Sequence, residues 1–304
     1  MIYCYKNKVK NYDVELKDSN KNFKEYDVKF KSLIKTKDEE NNTVYVYYYE
    51  PNLKKFPTIL MVHGLKVSTK KIRLHRWLAK QLAKKGMGVG LVTMPYHVKR
   101  TPKKEFSGAR FIELNAKDTL KFFEQAVIDI RCFLDFIEKR GKSNKNIIFG
   151  SSLGGIIAVL AMGVEKRFDK GIFMLTGGNY EKMLWGGLLK YTLKEDCMTK
   201  EQCHNFHRGY KDYIKKIRNV EDLSKIKAKK ECYIYDPLTM ANLLKGRDIL
   251  MINARFDFMI PKSSVLEFWN AIGKPKIIWL FASHTTSIFY PFKILREINK
   301  FVKS

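Results

Sequence analysis

Short runs of consecutive apolar residues recur along the chain, and segments with helical spacing separate most of them. The runs are PTILMVHG, GVGLVTMP, NIIFG, GIFMLTGG, DILMINA and KIIWLFA. An apolar run of about four to eight residues that is bounded by glycine, proline or polar residues is typical of a strand buried on both faces. The alternation of such runs with helices predicts an α/β fold with a mostly parallel central sheet and helices on both faces.

Helical spacing is clearest in two segments. Residues 70–85 place leucines and a tryptophan on one face, with lysines and arginines opposite. Residues 117–140 repeat apolar side chains at spacings of three and four, and Gly141 follows in the usual position for a helix C-cap. Further helices are predicted at 153–164, 263–271 and about 287–304.

We predict a single domain over residues 1–304, with two segments that depart from the alternation. Within residues 1–50, YDVKFKSLI and TVYVYYYE flank the turn-like KTKDEENN, which predicts a β-hairpin leading into the sheet. Residues 179–236 contain no clean strand, but they include the apolar MLWGGLL and a very basic centre. Because a long insertion in a compact domain is more often functional than idle, we predict a helical cap or lid there.

The composition is that of a globular protein, with 45% hydrophobic and 13% aromatic residues. The first twenty residues lack the apolar core of a signal peptide, and no run approaches the ~20 apolar residues of a membrane helix. The five cysteines are odd in number and scattered, which fits a reducing compartment. These features predict a cytoplasmic protein; the oligomeric state is left open.

A cluster of cysteines and histidines lies in the predicted insertion. Cys197, Cys203, His204 and His207 fall within eleven residues. Zinc ligands usually come in pairs separated by about two to four residues, and only CHNFH approaches that spacing. We therefore predict a polar loop here and no metal site.

The formal net charge of +27 raises the question of nucleic-acid binding, because phosphate contacts need clustered lysine and arginine. The basic residues are instead spread along the whole chain, and no more than two are adjacent. This pattern disfavours a nucleic-acid partner and indicates a solvated, lysine-rich surface. A preference for anionic substrates or for a membrane surface stays open.

The segment GSSLG fits the pattern G-x-S-x-G around one serine only. Gly150 and Gly154 flank Ser152, whereas Phe149 breaks the pattern around Ser151. A serine on a sharp strand-to-helix turn has a strained backbone, and side chains two residues to either side would collide. An apolar strand precedes the motif and an apolar helix follows it, so we predict that Ser152 is a nucleophile.

A serine nucleophile needs a general base, which a carboxylate orients. After Ser152 the chain has three histidines. His204 and His207 lie in the predicted insertion, whereas His284 directly follows the strand KIIWLFA at the edge where strand ends gather. We predict that His284 is the base.

The same placement selects the acid. Asp257 follows the strand DILMINA, in ARFDFMIP, and so lies at the same edge. Asp248 opens that strand and belongs at the opposite edge. Asp236 precedes the segment PLTMANLLKGR and is typical of a helix N-cap. Asp257 completes the chain order serine, acid, histidine.

Acyl transfer also needs donors for the oxyanion. The backbone N–H of Leu153, directly after the nucleophile, is one predicted donor. The loop MVHGLKVS follows an earlier strand and offers His63, Gly64 and Leu65. We predict the N–H of Leu65 as the second donor, because the glycine before it allows a close approach to the substrate.

These motifs together resemble the α/β-hydrolase superfamily over about residues 43–304. VHG is similar to the oxyanion loop, GSSLGG to the nucleophile elbow, ARFDFMIP to the acid loop and SHTT to the histidine loop. A serine precedes the histidine where many relatives have glycine. The resemblance implies an eight-stranded, mostly parallel sheet, with Ser152, Asp257 and His284 as nucleophile, acid and base. The segment 179–236 stands where such enzymes carry a cap.

Two further stretches, MPYHVKRTP and QAVIDIR, are similar to the abhydrolase-domain-18-like branch of that superfamily. The first follows a predicted strand, so its residues Tyr96, His97 and Arg100 are pocket candidates together with His63 and Gly64. Arg100 would contact an anionic group of the substrate. The alternative is a polar loop that two prolines hold in place.

The sequence thus predicts a serine hydrolase of a small-molecule acyl substrate that needs no metal and no organic cofactor. Ester, thioester and amide substrates share this machinery, and the apolar MLWGGLL favours a carboxylic ester over a peptide. The alternative is a binding protein with the same fold, whose basic surface takes nucleic acid or a membrane and whose triad is not used.

Overall fold

The structure, a computed structural model, describes residues 3, 5, 8–191, 199–217 and 225–304. Within them, nine strands form one sheet in the order β1-β2-β3-β5-β4-β6-β7-β8-β9. The strands are β1 (Asp13–Ser19), β2 (Phe23–Lys31), β3 (Thr43–Pro51), β4 (Phe56–Val62), β5 (Gly88–Val92), β6 (Ser143–Ser151), β7 (Lys170–Met174), β8 (Asp248–Ala254) and β9 (Lys276–Leu280).

The sheet has an antiparallel part and a parallel part. Strands β1, β2 and β3 pair antiparallel in sequence, and β3 joins β5 antiparallel. From β5 to β9, neighbouring strands are parallel. The predicted α/β class and mostly parallel sheet are confirmed. Strands β2 and β3 are consecutive and pair antiparallel.

The number of strands differs from the eight that the resemblance implied. The additional strand is β1, which lies at the edge of the sheet, and all seven of its residues are exposed. A strand that buries neither face needs no alternation of apolar and polar side chains. The sequence DVELKDS has only Val14 and Leu16 at alternate positions, and two apolar residues are too few to predict a strand.

Ten α-helices occur in the described residues. They are α1 (Ile72–Lys84), α2 (Ala109–Ile112), α3 (Ala116–Arg140), α4 (Leu153–Val164), α5 (Tyr180–Trp185), α6 (Lys200–Ile217), α7 (Cys232–Tyr235), α8 (Ala241–Leu244), α9 (Lys262–Ala271) and α10 (Pro291–Lys303). Helix α3 begins where the Asn115 side chain accepts the N–H of Asp118, and it ends at Gly141, whose φ of 65° is left-handed. The predicted C-cap is confirmed.

Each face of the sheet packs against its own layer of helices. Helices α3, α4 and α9 bury their apolar sides in one core, to which β6 contributes Ile148. Helices α1 and α10 form the other core, and Ile147 and Phe149 of the same strand point into it. This alternation along a continuously apolar strand is what two buried faces require.

The described part of residues 179–236 is helical and contains no strand. Four of its tyrosines are buried in the core on the α3–α4 face: Tyr210, Tyr213, Tyr233 and Tyr235. Helix α7 packs against α3, and α5 packs against α6 and α9. The segment is thus anchored on the helical layer beside the sheet.

The parallel strands bring several loops to one edge. Strands β4, β6, β8 and β9 run in the same direction, so the loops after Val62, Ser151, Ala254 and Leu280 all leave from their carboxyl ends. This is the edge at which open α/β sheets bind ligands. In the described residues, no helix is both long and apolar enough to cross a membrane.

Candidate active site

The turn between β6 and α4 holds Ser152 in a strained conformation. Its φ of 56° and ψ of −121° lie where residues with side chains are rarely found. Such backbone strain costs about 1–3 kcal/mol and persists only where the surroundings impose it. Here the N–H of Ser152 donates to the carbonyl of Met174 at 2.9 Å, and the Ser152 carbonyl accepts the N–H of Gly155 at 2.7 Å.

The two glycines of the motif are required by close backbone contacts. A Cβ on Gly150 would lie 2.0 Å from the carbonyl oxygen of Gly154. A Cβ on Gly154 would lie 2.3 Å from the carbonyl oxygen of His63 and 2.4 Å from that of Val62. No side chain fits at either position without moving backbone. The steric reason predicted for the G-x-S-x-G pattern is therefore present in the structure.

The structure brings Ser152, Asp257 and His284 together. The Nε2 of His284 lies 2.9 Å from the Oγ of Ser152, and its Nδ1 lies 2.8 Å from Oδ2 of Asp257. A carboxylate only accepts, so Nδ1 carries the proton and Nε2 is left to accept the proton of the serine hydroxyl. The three side chains form the hydrogen-bond chain that acyl transfer by serine requires.

The acid is held rigidly in its loop. Oδ1 of Asp257 accepts the N–H groups of Met259 and Ile260, both at 2.8 Å, while Oδ2 accepts the Nδ1–H of His284. The side chain of Asp257 is 4% exposed, and that of His284 is 18% exposed. The carboxylate is thus buried and fully hydrogen-bonded, and the imidazole keeps a path to the cavity.

The other histidines after Ser152 are engaged elsewhere. On α6, Nδ1 of His204 lies 2.8 Å from Oε1 of Glu181, and Nε2 of His207 lies 3.9 Å from Oε2 of the same carboxylate. Among the described residues, no group of three or more histidine, cysteine, aspartate or glutamate side chains is arranged to hold a metal ion. Cys197, the first of the four clustered cysteines and histidines in the sequence, lies outside the described residues.

The two rival aspartates are also placed as the sequence predicted. Asp248 opens β8 at the edge of the sheet opposite Ser152, where it pairs with Lys170 at 2.9 Å. Asp236 is the N-cap of a 3-10 turn and accepts the N–H of Leu238 at 2.9 Å. Full burial raises the pKa of Asp236 to about 6.

Ser152 and His284 border a cavity of ≈510 Å³. Its wall is mostly apolar and comes from the loop after β4, from α1, from the strand ends and from the start of α10: Leu65, Val67, Leu74, Trp77, Leu78, Phe149, Met174, Leu175, Ile288 and Ile294. Lys70 and Lys71 add two cations to the lining. None of the described residues between 179 and 236 contributes to it.

Of the two predicted oxyanion donors, Leu65 lines this cavity and Leu153 directly follows Ser152. Leu153 is the first residue of α4, and first-turn N–H groups have no partner within their own helix. Gly64 and Leu65 line the cavity together with Ser152. A Cβ on Gly64 would lie 3.5 Å from the Cβ of Ser152, so this loop passes close to the nucleophile. The two N–H roles stay predictions.

The prediction that Arg100 lines the pocket is wrong. Its side chain is completely buried, and its guanidinium pairs with the buried Asp129 at 2.8 Å. It also donates to the carbonyl of Asn41 at 2.8 Å and to that of Thr93 at 3.0 Å. A guanidinium with these partners fixes the loop after β5 to α3 and has no access to a substrate. The alternative, a structural polar loop, is the observed one.

The other candidates on these two loops are structural as well, except Gly64. His63 and His97 are completely buried. Nδ1 of His97 lies 2.8 Å from the carbonyl of Pro95, and burial lowers the pKa of His97 to about 4. Nε2 of His63 accepts the N–H of Met94 at 3.2 Å, and burial lowers its pKa too. Tyr96 lines a separate polar pocket on another part of the surface.

The main feature of the cavity that sequence reasoning missed is the contribution of α1. Leu74, Trp77 and Leu78 were assigned to the buried face of a helix, and they instead form one side of the substrate space. Leu74 is 36% exposed.

The sheet, the elbow at Ser152 and the hydrogen-bonded acid and histidine loops define an α/β-hydrolase. Residues 36–208 match the Esterase family, described as "Putative esterase". The match covers more than half of the chain, and the chain belongs to this family. It does not confirm the abhydrolase-domain-18-like branch.

Solved structures with the same fold include three that cover nearly all of this chain. An acetyl xylan esterase from Paenibacillus sp. R4 has a TM-score of 0.66 and 17% identity, over 97% of this chain and 89% of that one. A Pyrococcus horikoshii acylaminoacyl peptidase has a TM-score of 0.62 and 17% identity, over 93% of this chain but 41% of its own. A cold-adapted esterase from an Arctic intertidal metagenomic library has a TM-score of 0.58 and 13% identity, over 93% and 96%.

At these identities the likeness shows the fold alone. No curated protein matches the chain. The choice between ester and peptide substrates therefore has to come from the site itself.

Proposed function

We propose that this protein is a serine esterase that cleaves a carboxylic ester through an acyl-enzyme on Ser152. The observation that carries the proposal is the hydrogen-bond chain from Oγ of Ser152 through His284 to Asp257, at the carboxyl edge of the sheet and beside an apolar cavity. Family membership supports ester hydrolysis as the reaction.

In the first half of the reaction, Oγ of Ser152 attacks the carbonyl carbon of the ester while its proton passes to Nε2 of His284. The N–H groups of Leu153 and Leu65 stabilise the negative charge that develops on the carbonyl oxygen. The bond to the leaving oxygen then breaks, His284 returns the proton to it, and an alcohol departs. The acyl group remains bonded to Ser152.

In the second half, a water molecule gives a proton to His284 and attacks the acyl carbon. The bond to Oγ breaks, the proton returns to Ser152, and a carboxylic acid is released. Asp257 keeps Nδ1 protonated throughout and stabilises the imidazolium that forms in each half. Its two backbone hydrogen bonds hold the carboxylate in place for this role.

The cavity favours an ester with an apolar acyl chain over a peptide. Most of its lining is aliphatic or aromatic, and a volume of ≈510 Å³ lies within the range of small-molecule sites. An extended peptide would leave many backbone groups without partners against such a wall. Peptide hydrolysis by the same residues is the competing activity to be measured.

We also propose that the segment 179–236 is a cap that contacts the loop carrying Asp257. Support comes from one contact in the described residues: the N–H of Leu188 donates to the carbonyl of Phe258 at 2.8 Å, next to Asp257. We also propose a cytoplasmic location, which the scattered cysteines support.

An activity-based probe tests the nucleophile. A fluorophosphonate should label the wild-type protein and should not label Ser152→Ala. Ser151→Ala is the matched control, since it removes the neighbouring hydroxyl at the same cavity and should keep the label. A folded wild-type sample that takes no label, or a Ser152→Ala variant that takes it, would reject the proposal.

A substrate series then tests the ester assignment. Nitrophenyl esters from acetyl to dodecanoyl should show a kcat/KM that rises with chain length until the cavity is full and then falls. The nitroanilide with the best acyl group should react at least about 100-fold more slowly, since an amide is the less reactive bond. A nitroanilide that reacts as fast as its ester would favour a peptidase.

A further inference from the structure

Most of the exposed phenylalanines in the described residues lie on the two segments that carry Asp257 and His284. Six phenylalanines are exposed, and five of them lie on the segments that carry Asp257 and His284. We call these five the phenylalanine rim: Phe256, Phe258, Phe281, Phe289 and Phe292, which are 44%, 67%, 69%, 78% and 73% exposed. Apolar patches of this kind on a protein surface mark interaction sites.

Three of the five rim side chains make aromatic contacts. Phe256 packs edge-on against Phe281, with ring centroids 4.9 Å apart. Phe292 packs edge-on against Trp77, at 5.8 Å, and Trp77 lines the cavity. Phe289 belongs to the 3-10 turn that follows His284. Phe289 and Phe292 thus directly follow the cavity-lining residues Ile288 and Pro291, and the other three rings lie on the segments that carry Asp257 and His284.

The surroundings of the rim are basic. Seven cations on the three mouth segments make no ion pair with an acidic side chain of the described residues: Lys66, Lys70, Lys71, Arg73, Arg255, Lys262 and Lys293. In residues 64–78, 253–263 and 281–296 the single acidic residue is Asp257. Its carboxylate is buried on His284. The mouth thus presents aromatic side chains among uncompensated positive charges.

We propose that this face docks onto an anionic lipid surface, with the phenylalanine rim in the boundary between headgroups and acyl chains. Aromatic side chains favour that boundary, and lysine and arginine beside them are attracted to anionic headgroups. A nucleic-acid duplex offers phosphates, but its base faces are already stacked on each other, so it has no apolar phase for five exposed rings. A second copy of this chain would bring an equally positive mouth against the first, which disfavours self-association through this face.

Docking in this way would place the cavity entrance against the lipid. An acyl substrate dissolved in the surface would pass to Ser152 without crossing water. Docking requires no step of the hydrolysis, so it can be tested separately from the proposed esterase activity.

Vesicle flotation tests the proposal. The full chain is mixed with vesicles of phosphatidylcholine alone or of phosphatidylcholine with about one third phosphatidylglycerol, and the bound fraction is measured. We expect binding to the mixed vesicles that weakens as salt is raised. Ser152→Ala should bind like the wild type, which separates docking from catalysis.

The double variant Phe258→Ser with Phe289→Ser removes two highly exposed rings, and we expect binding at least about tenfold weaker. Leu53→Ser is the matched control, because Leu53 is 51% exposed in the turn before β4, at the opposite edge of the sheet. It should leave binding unchanged. Thermal unfolding of each variant checks that it is folded.

Three results would overturn the proposal. One is equal binding to both kinds of vesicle or to neither, and another is a double variant that binds like the Leu53→Ser control. The third comes from sedimentation: a wild-type dimer that the double variant converts to a monomer, with no vesicle binding, would assign the rim to self-association.

Discussion

His284 and His97 occupy equivalent positions in the fold, but their hydrogen-bond partners differ. Each follows a strand at the carboxyl edge of the sheet, β9 and β5 respectively. His284 has a carboxylate on one nitrogen and the hydroxyl of Ser152 on the other. His97 has a backbone carbonyl on Nδ1, and its Nε2 is buried without a hydrogen-bond partner in the described part of the chain.

The difference between these two histidines comes from their neighbours. In the proposed mechanism, the Asp257 carboxylate orients the imidazole of His284 so that Nε2 takes the proton of Ser152. Burial disfavours the charged form, and the pKa of His97 falls to about 4. A strand end therefore supplies a position, and the partner decides between proton transfer and a structural role.

The largest expected effect separates the two histidines by activity. His284→Ala should lower kcat for an ester by about 10⁶-fold, because the nucleophile and its base act as a unit. His97→Asn, which keeps a donor for the Pro95 carbonyl, should lower kcat by less than about tenfold. Ester hydrolysis by each folded variant is the measurement. A comparable loss of kcat in both variants would contradict the assignment of a catalytic role to His284 and a structural role to His97.

The next effect concerns Arg100, which shares the His97 loop. Arg100→Met leaves the Asp129 carboxylate buried without its cation, and we expect a loss of about 3–5 kcal/mol in the free energy of unfolding. The double variant Arg100→Met with Asp129→Leu removes both charges and should recover most of that loss. Urea unfolding at neutral pH measures both. If Arg100→Met is as stable as the wild type, or if it changes only KM, then Arg100 contacts the substrate after all.

The sequence contained enough to place Ser152, Asp257 and His284, because each depends on strand ends and glycine spacing. Gly150 and Gly154 specify the elbow through backbone contacts that no other residue permits. The direction in which Arg100 points was not predictable, since it depends on Asp129, a partner 29 positions away on α3. Strand β1 was missed because its exposed sequence alternates only two apolar residues, Val14 and Leu16, with charged ones.

The smallest effect is a pH dependence of stability that belongs to the buried histidine. In the unfolded chain His97 binds a proton near pH 6.5, and in the folded protein only near pH 4. Between these values the unfolded state binds more protons, so acidification lowers the free energy of unfolding, by up to about 3 kcal/mol for this one residue. His97→Asn should reduce the slope of stability against pH in this window by about 1.4 kcal/mol per unit, as measured by urea unfolding from pH 7 to pH 4.5. Leu53→Ser, which removes no titratable group from an exposed position, is the control and should leave the slope as it is. An unchanged slope in His97→Asn would mean that His97 does not stay neutral in the folded protein, and its contrast with His284 would then lie in geometry alone.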